Sequence, residues 1–525
     1  MYRKIPKNQL SFENFYLPFG GKLNGNNRWI RLARIIPWDL VEEIYKKKFT
    51  SSTTKGAPAK SARLAFGALI IKERLGVSDE EAVEQIRENP YLQFFLGFHE
   101  FRYEKPFDPS MYVHFRKRFT LDEMNRINEA IALREGVSES REDSDQDPDS
   151  QGSSESSGYS SSPSNSNKGK LLMDATCAPA DIRYPTDIGL VNEAREKSEE
   201  IIDTLFLPLK GKMRKPRTYR QKARKQYLAF VKKGKHSARD RRRVLGQQLR
   251  YLRRDLAIID TLCKHVSLTL LSRRQYRDLL VIHELYRQQS WMYNNRSNSI
   301  SDRIVSISQP HVRPIVRGKA SAPTEFGSKL SSAMVDGFVF LDRLDWNPYN
   351  ESGDLIAQIE AFRRRFGHYP ESVHCDKIYR TRANRKFCKK HGIRMSGPPL
   401  GRPVKETEDN ATKLREKALQ RRQDELDRIP IEGKFGQGKR RFGLSRIMAK
   451  LAGTSETAIA IIFIVMNLEK WLKQVLLSIF LFLKTVRDRY HGLKATWKQA
   501  YLSINGPYGE VSQKRLVFLS ETIVH

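Results

Sequence analysis

The stretch Leu171–Pro179, LLMDATCAP, decides how this chain is read. It opens with a short apolar run of strand type that ends on Asp174. A second short run, SVHCD (Ser372–Asp376), ends on Asp376 in the same way. Around both, strand-like segments interleave with helical ones, which indicates an α/β layer architecture. Open α/β sheets place their ligands beyond the carboxyl ends of strands. A third acid, Glu432 in RIPIEGKFGQGKRRFG (Arg428–Gly443), stands at a turn leading into a very basic segment. Carboxylates delivered from separate elements can share hard divalent cations, because Mg2+ takes oxygen ligands and keeps water or phosphate in its remaining positions. Two such ions would activate an attacking oxygen and stabilise a leaving one.

The bulk numbers favour a polyanionic partner. With 94 Lys+Arg against 60 Asp+Glu, the 525-residue chain carries a formal charge of +34. That excess favours a polyanion, since neutralising phosphates releases condensed counterions. The natural substrate for a carboxylate site in so basic a chain is a phosphodiester. A ribosome-associated or membrane-surface protein shares the balance, so charge alone leaves the partner open. Four scattered cysteines suit a reducing cytoplasm rather than a disulfide framework. The opening MYRKIPKNQL has no apolar signal-peptide core. Ala458–Leu483 is the most apolar stretch, but Asn467, Glu469, Lys470, Lys473 and Gln474 interrupt it, so it reads as a buried helix followed by an amphipathic one, not a membrane span.

Length predicts two or three domains. Residues 1–135 read as all-helical, with Ser61–Leu75 at helical spacing and Ser78 capping a second helix with Glu81 three residues on. The pair has the outline of a helix-turn-helix, and DNA reading stands there beside plain packing or dimerisation. Residues 136–169 are Ser-rich and acidic and read as a disordered linker. Residues 170–485 form the catalytic region, and 486–525 a C-terminal tail. Within the catalytic region, about residues 192–299 form a long helical insertion. Its segment Lys210–Arg254 holds 19 Lys or Arg and a single acid, Asp240, a better match to a phosphate-tracking face than to a merely solvated one. Strands are expected at RIVSIS (Arg303–Ser308), across KLSSAMVDGFVFLDRLDW as a hairpin or meander, at SVHCD and at IRMS.

Around Glu432 the spacing adds basic partners. Arg428 lies four residues before it and Lys439 seven after, intervals that share one helical face. Pro430 and the glycines at 433, 436 and 438 weaken that helix, and Pro430 in a first turn would leave Arg428 just outside it. Asp181, Asp187, Asp336 and Asp342 are alternative ligands, with an N-cap role favoured for Asp187. A zinc site from His374, Cys375, Cys388 and His391 is disfavoured, because adjacent strand residues point to opposite faces and there is no CxxC pair. The Gly-rich segment lacks the order of a nucleotide-binding loop.

The chain resembles the bacterial insertion-sequence DDE transposases. The resemblance is carried by LLMDATCAPADIRYPTDIGLVNEAR, RPIVRGKASAPTEFGSKLSSAMVDGF and DRLDWNPYNES. It continues through GHYPESVHCDKIYRTRANRKFCKKHGIRMSGPPLGRP and RIPIEGKFGQGKRRFGLSRI. It spans most of residues 171–470, and Ile30–Ala132 looks like the helical N-terminal domain that accompanies such cores. The resemblance implies an RNase H-like catalytic core and two Mg2+ ions, with Mn2+ as a substitute, held by Asp174, Asp376 and Glu432. Arg428 and Lys439 match DNA-contacting positions beside the glutamate, while Glu425 stands where that branch has tyrosine. Arg317 and Lys319 are further DNA-contact candidates. The long insertion after the first strand sits earlier than in relatives that carry theirs before the glutamate helix.

The reading implied is a transposase that cuts DNA at element ends and joins them to target DNA. It would recognise terminal inverted repeats, work as a homodimer or higher assembly on DNA without a membrane, and reside in the bacterial cytoplasm at the nucleoid. Two alternatives stand beside it: an inactive or domesticated relative that binds DNA as a regulator, and a structure-specific nuclease of the same fold. An RNA-binding or ribosome-binding protein would have no need of the carboxylates.

Overall fold

The computed structural model describes residues 11–49, 58–134, 167–316, 324–397 and 410–474, with single positions 401, 407 and 487. The chain divides into a unit Met1–Asn467 and a second, Leu468–His525, most of which lies outside the described residues. The expected linker at 136–169 falls almost wholly outside them, as does the tail at 486–525.

The N-terminal region is helical: α1 (Arg28–Ile35), α2 (Trp38–Lys46), α3 (Ala62–Leu75), α4 (Asp79–Glu88), α5 (Pro90–Phe95), α6 (Met111–Lys117) and α7 (Leu121–Ala132). Helix α3 is the hub, with Phe66, Ile70 and Ile71 fully buried. It starts where Ser61 accepts from the Leu64 N–H and stops at Gly76, whose φ of 69° suits the left-handed cap. Ser78 then caps α4 by accepting from the Glu81 N–H. The helix-turn-helix outline is therefore present, but α4 carries Asp79, Glu80, Glu81, Glu84 and Glu88 against one Arg87. Such a helix repels phosphates, which favours packing over base reading for this hairpin. Helix α7 docks on the sheet: the Asn125 and Asn128 amides donate to the carbonyls of Leu341 and Val339 at 2.9 and 3.0 Å.

The sheet has six strands. Strand β1 (Lys170–Pro179) leads through the helical insertion α8 (Asp187–Phe206), α9 (Arg220–Lys233), α10 (Ala238–Cys263) and α11 (Arg273–Asn294) to β2 (Arg313–Val316). Strands β3 (Thr324–Val335) and β4 (Phe338–Asp345) form the expected hairpin, turning at Asp336 and Gly337 with φ of 48° and 78°. Helix α12 (Leu355–Phe366), β5 (Ser372–His374), α13 (Arg382–Lys390), β6 (Arg394–Met395) and α14 (Ala411–Arg441) follow. Strand β1 pairs antiparallel with β3 and parallel with β5, which pairs parallel with β6. Strands β2 and β4 flank successive parts of β3's other edge. RIVSIS forms no strand; Ile304–Ser306 runs buried without regular pairing, with Ile304 and Ile307 in the insertion's core.

The insertion has its own core, in which Leu190, Ile202, Leu252, Ile259, Ile282 and Leu285 interlock α8, α10 and α11. Burying such side chains stabilises by roughly 1.5–3 kcal/mol each. A last helix, α15 (Ala452–Gln474), is long and apolar enough by composition to cross a membrane, yet 83% of its apolar window is buried inside the protein. Its Asn467 amide joins α7 to the sheet, donating to Asn128 at 2.9 Å and to the Val339 carbonyl at 2.8 Å.

Candidate active site

Asp174 occupies the middle of β1 rather than its end. The apolar run stops there, but pairing with β3 continues to Pro179 opposite Gly327. That register needs glycine: a Cβ on Gly327 would stand 2.1 Å from the Ala178 carbonyl oxygen. Asp174 accepts from the Ala175 N–H at 2.8 Å. Burial pushes its carboxyl up to about 6; the Ala175 N–H and Arg428 oppose the shift, while Glu432 and Asp376 add to it. Asp376 follows β5 by two residues and starts a short turn, accepting from the Lys377 N–H at 2.7 Å.

Glu432 and Arg428 both lie inside α14, a continuous 31-residue helix that passes through Pro430. This corrects the expectation that Pro430 opens the helix and leaves Arg428 outside. A helix interior tolerates proline when tertiary packing holds both sides. Here Asp424 before Pro430, and Ile431 and Phe435 after it, are buried. The helix brings the Arg428 guanidinium 3.0 Å from Glu432 and 4.0 Å from Asp376. Asp174, Asp376 and Glu432 thus converge from three elements around one arginine. Glu432 and Asp376 are about half exposed, at 51% and 57%, so the cluster opens to solvent. Lys439 follows Glu432 by two turns on the same face. Arg317 and Lys319 lie outside the described residues.

Comparison with known proteins bears on this geometry. The model of a transposase DDE domain matches residues 373–469, which contain Asp376, Arg428, Glu432 and Lys439. A second family model, "Transposase domain (DUF772)", matches residues 18–118, the N-terminal helices. Over these segments the chain is similar to transposase domains, which supports an insertion-sequence transposase. Both models describe transposase domains. The chain is also similar to "Uncharacterized protein ORF8 in nfe locus" of Rhizobium meliloti, 36% identical over 119 residues, which are 22% of this chain. It spans 56% of that relative's length. No solved structure matches.

The donor set of this site fits a hard divalent cation. Three carboxylates offer only oxygen; burial raises the Asp174 pKa, and Glu432 and Asp376 add to that shift against the opposing Arg428. A second acidic group lies two turns earlier on α14, where ligand atoms of His374, Asp424 and Asp427 fall within 4.8 Å of one another. There the charge is already met: Arg394 donates to both Asp424 oxygens at 2.8 Å, and Lys170 lies 2.6 Å from Asp427. Hydrogen bonding from Lys170 holds Asp427 below the usual carboxylate range. This cluster ties α14 to β1, β5 and β6, and so positions Glu432 opposite Asp376. Neither cysteine joins it; Cys375 and Cys388 are buried thiols pushed up to about 12 and about 11.

The alternative aspartates are engaged elsewhere. Asp181 pairs with Arg446, Asp187 with Arg303, and buried Asp342 with Arg365, while Asp336 makes the hairpin turn. The N-cap of α8 is Thr186, one residue before Asp187. Sequence reasoning missed Tyr379, on the turn that Asp376 starts. Its hydroxyl is buried without a hydrogen-bond partner, and burial and the nearby Glu351 and Asp174 push its pKa up. The signal was an aromatic residue three positions after the aspartate. At the root of the insertion a cavity of about 920 Å³ is lined by Arg183, Tyr184, Arg220, Arg224, Tyr227 and Lys450.

Proposed function

We propose that the chain cuts DNA at the ends of a mobile element and joins those ends to target DNA, using β1, β3, β4, β5 and β6 as an RNase H-like core. The observation that carries this reading is the convergence of Asp174, Asp376 and Glu432 on Arg428, from a strand, a strand-following turn and a helix. Those carboxylates would hold two Mg2+ ions, with Mn2+ as a substitute. Bound there, the ions supply Lewis-acid charge that activates the attacking oxygen and stabilises the leaving one. In the first step water attacks the phosphorus at the element's end and the 3′ oxygen leaves. In the second, the freed 3′-hydroxyl attacks a target phosphodiester, the target's P–O3′ bond breaks and its 3′-hydroxyl leaves, so no covalent enzyme intermediate forms. Arg428 offers its guanidinium to the scissile phosphate once the carboxylates are otherwise compensated, and Lys439 steadies the backbone further along. Arg317 and Lys319 are further contacts to DNA.

In this reading residues 1–135 recognise the terminal inverted repeats or dimerise, 136–169 link them to the core at 170–485, and 486–525 form a tail. Two ends cut together call for a homodimer or larger assembly on DNA, working in the cytoplasm at the nucleoid. The test is a Mg2+-dependent cleavage and joining assay on DNA carrying the element's ends. Cutting at the 3′ ends followed by joining, lost in Asp376→Asn, supports the proposal. Binding without cutting in the wild type leaves a DNA-binding regulator, and nicking without joining leaves a nuclease.

A further inference from the structure

The insertion carries a charge the active site does not use. On α10, Arg239, Arg243, Arg250 and Arg254 recur at intervals of four, seven and four, and all four are exposed. At 100° per residue they fall within a stripe of about 60°, opposite the buried Gln248, Leu252, Asp255 and Ile259. Arg242 and Arg253 widen the stripe. Over 15 residues it runs about 22 Å at 1.5 Å per residue. Helix α9 packs beside it and adds exposed Lys222, Lys225, Lys232 and Lys233. Carboxylate partners are scarce: Asp240 meets Lys233 and Arg243, both at 3.2 Å, and Asp203 meets Lys215 and Arg220.

Aromatic residues hold this face in shape. Tyr219, just before α9, has a φ of 59°, a left-handed conformation rare for a bulky side chain. Its ring sits between two guanidinium groups, Arg217 and Arg254, each 4.5 Å from the centroid. Tyr293 crosses the stripe at Gly246, where a Cβ would stand 2.6 Å from the tyrosine hydroxyl, and Arg242 stacks on it at 4.2 Å. Stacking leaves guanidinium N–H edges available for phosphate, although Arg242 already donates to the Tyr293 carbonyl at 2.8 Å. A solvated helix surface would not need a strained tyrosine to fix two arginines.

We infer that this face of α9 and α10 is a docking surface for the phosphate backbone of duplex DNA, read without regard to sequence. The inference rests on the DNA substrate proposed above and adds where DNA runs outside the carboxylate site. The test is binding of a random-sequence duplex by the full chain from about 50 to 200 mM salt. Replacing Arg239, Arg243, Arg250 and Arg254 with glutamine should make the slope of log affinity against log salt shallower by about 3–4, with affinity near 0.1 M salt falling on the order of 100-fold or more. Single changes Arg250→Gln and Arg254→Gln, checked for folding by circular dichroism, should each lower the slope by about 0.9, and Arg→Lys at the same positions should restore it. An unchanged slope in a folded fourfold glutamine variant overturns the inference. So does tighter binding of single-stranded RNA or anionic vesicles than of duplex through these same arginines. End cleavage by the wild type is scored separately. Cutting with an unchanged slope removes only the docking surface, whereas a changed slope without cutting keeps it and removes the proposed chemistry.

Discussion

Helix α14 carries two acidic clusters two turns apart, and they differ in how their charge is met. Asp424 and Asp427 are mostly covered and answered by Arg394 and Lys170. Glu432, with Asp376 and Asp174, gathers around one guanidinium among the described residues and opens to solvent. The first arrangement is complete as it stands and serves as an anchor. The second holds surplus negative charge in a fixed, accessible place, which suits a site that takes up cations. Acidity alone does not separate an anchor from a site; compensation does.

The largest expected contrast is in activity. Asp376→Asn should lower end cleavage about 1,000-fold or more, because several kcal/mol of charge stabilisation go with the ligand. Asp427→Asn, at the anchor, should leave cleavage within about tenfold, measured on the same DNA; equal losses would erase the distinction. Next comes stability. Asp424→Ala strands Arg394, which is partly exposed, so thermal or urea unfolding should report a loss of about 1–3 kcal/mol.

The smallest contrast is a gain. Asp174 titrates near 6 in the folded protein against an ordinary 3.8, so the folded state holds the extra proton between these values. Stability of the metal-free protein therefore falls as pH rises from about 4 to about 6, then levels. Asp174→Asn should flatten that dependence and stabilise the metal-free protein at pH 7 by about 1–2 kcal/mol. A variant less stable than wild type at pH 7 would mean that Asp174's contacts outweigh its crowding.

Much of this was legible in the chain. The interleaved strand and helix patterns indicated α/β layers, and the helical insertion, the β3–β4 hairpin and the Ser78 cap follow from local periodicity and turn chemistry. Asp174, Asp376, Glu432 and Arg428 lie near one another; spacing alone put only Arg428 and Glu432 on one helical face. Tertiary forces hid the rest. Pro430 breaks helices locally, yet packing of Ile431 and Phe435 carries α14 through it. Asp174 ends an apolar run but not a strand, because pairing with β3 is a property of two segments. RIVSIS alternates like a strand but forms none: Ile304 and Ile307 face the insertion's core while Val305 packs with Ala180 and Val312. The anchor was invisible because Lys170, His374, Arg394 and Asp424 come together only when β1, β5, β6 and α14 assemble.

The most direct measurement is Mn2+ binding, followed by electron paramagnetic resonance, in the wild type, Asp174→Asn and Asp427→Asn. Binding lost in Asp174→Asn and kept in Asp427→Asn is the result this account predicts. Binding kept in Asp174→Asn and lost in Asp427→Asn would place the cation at the anchor and contradict it.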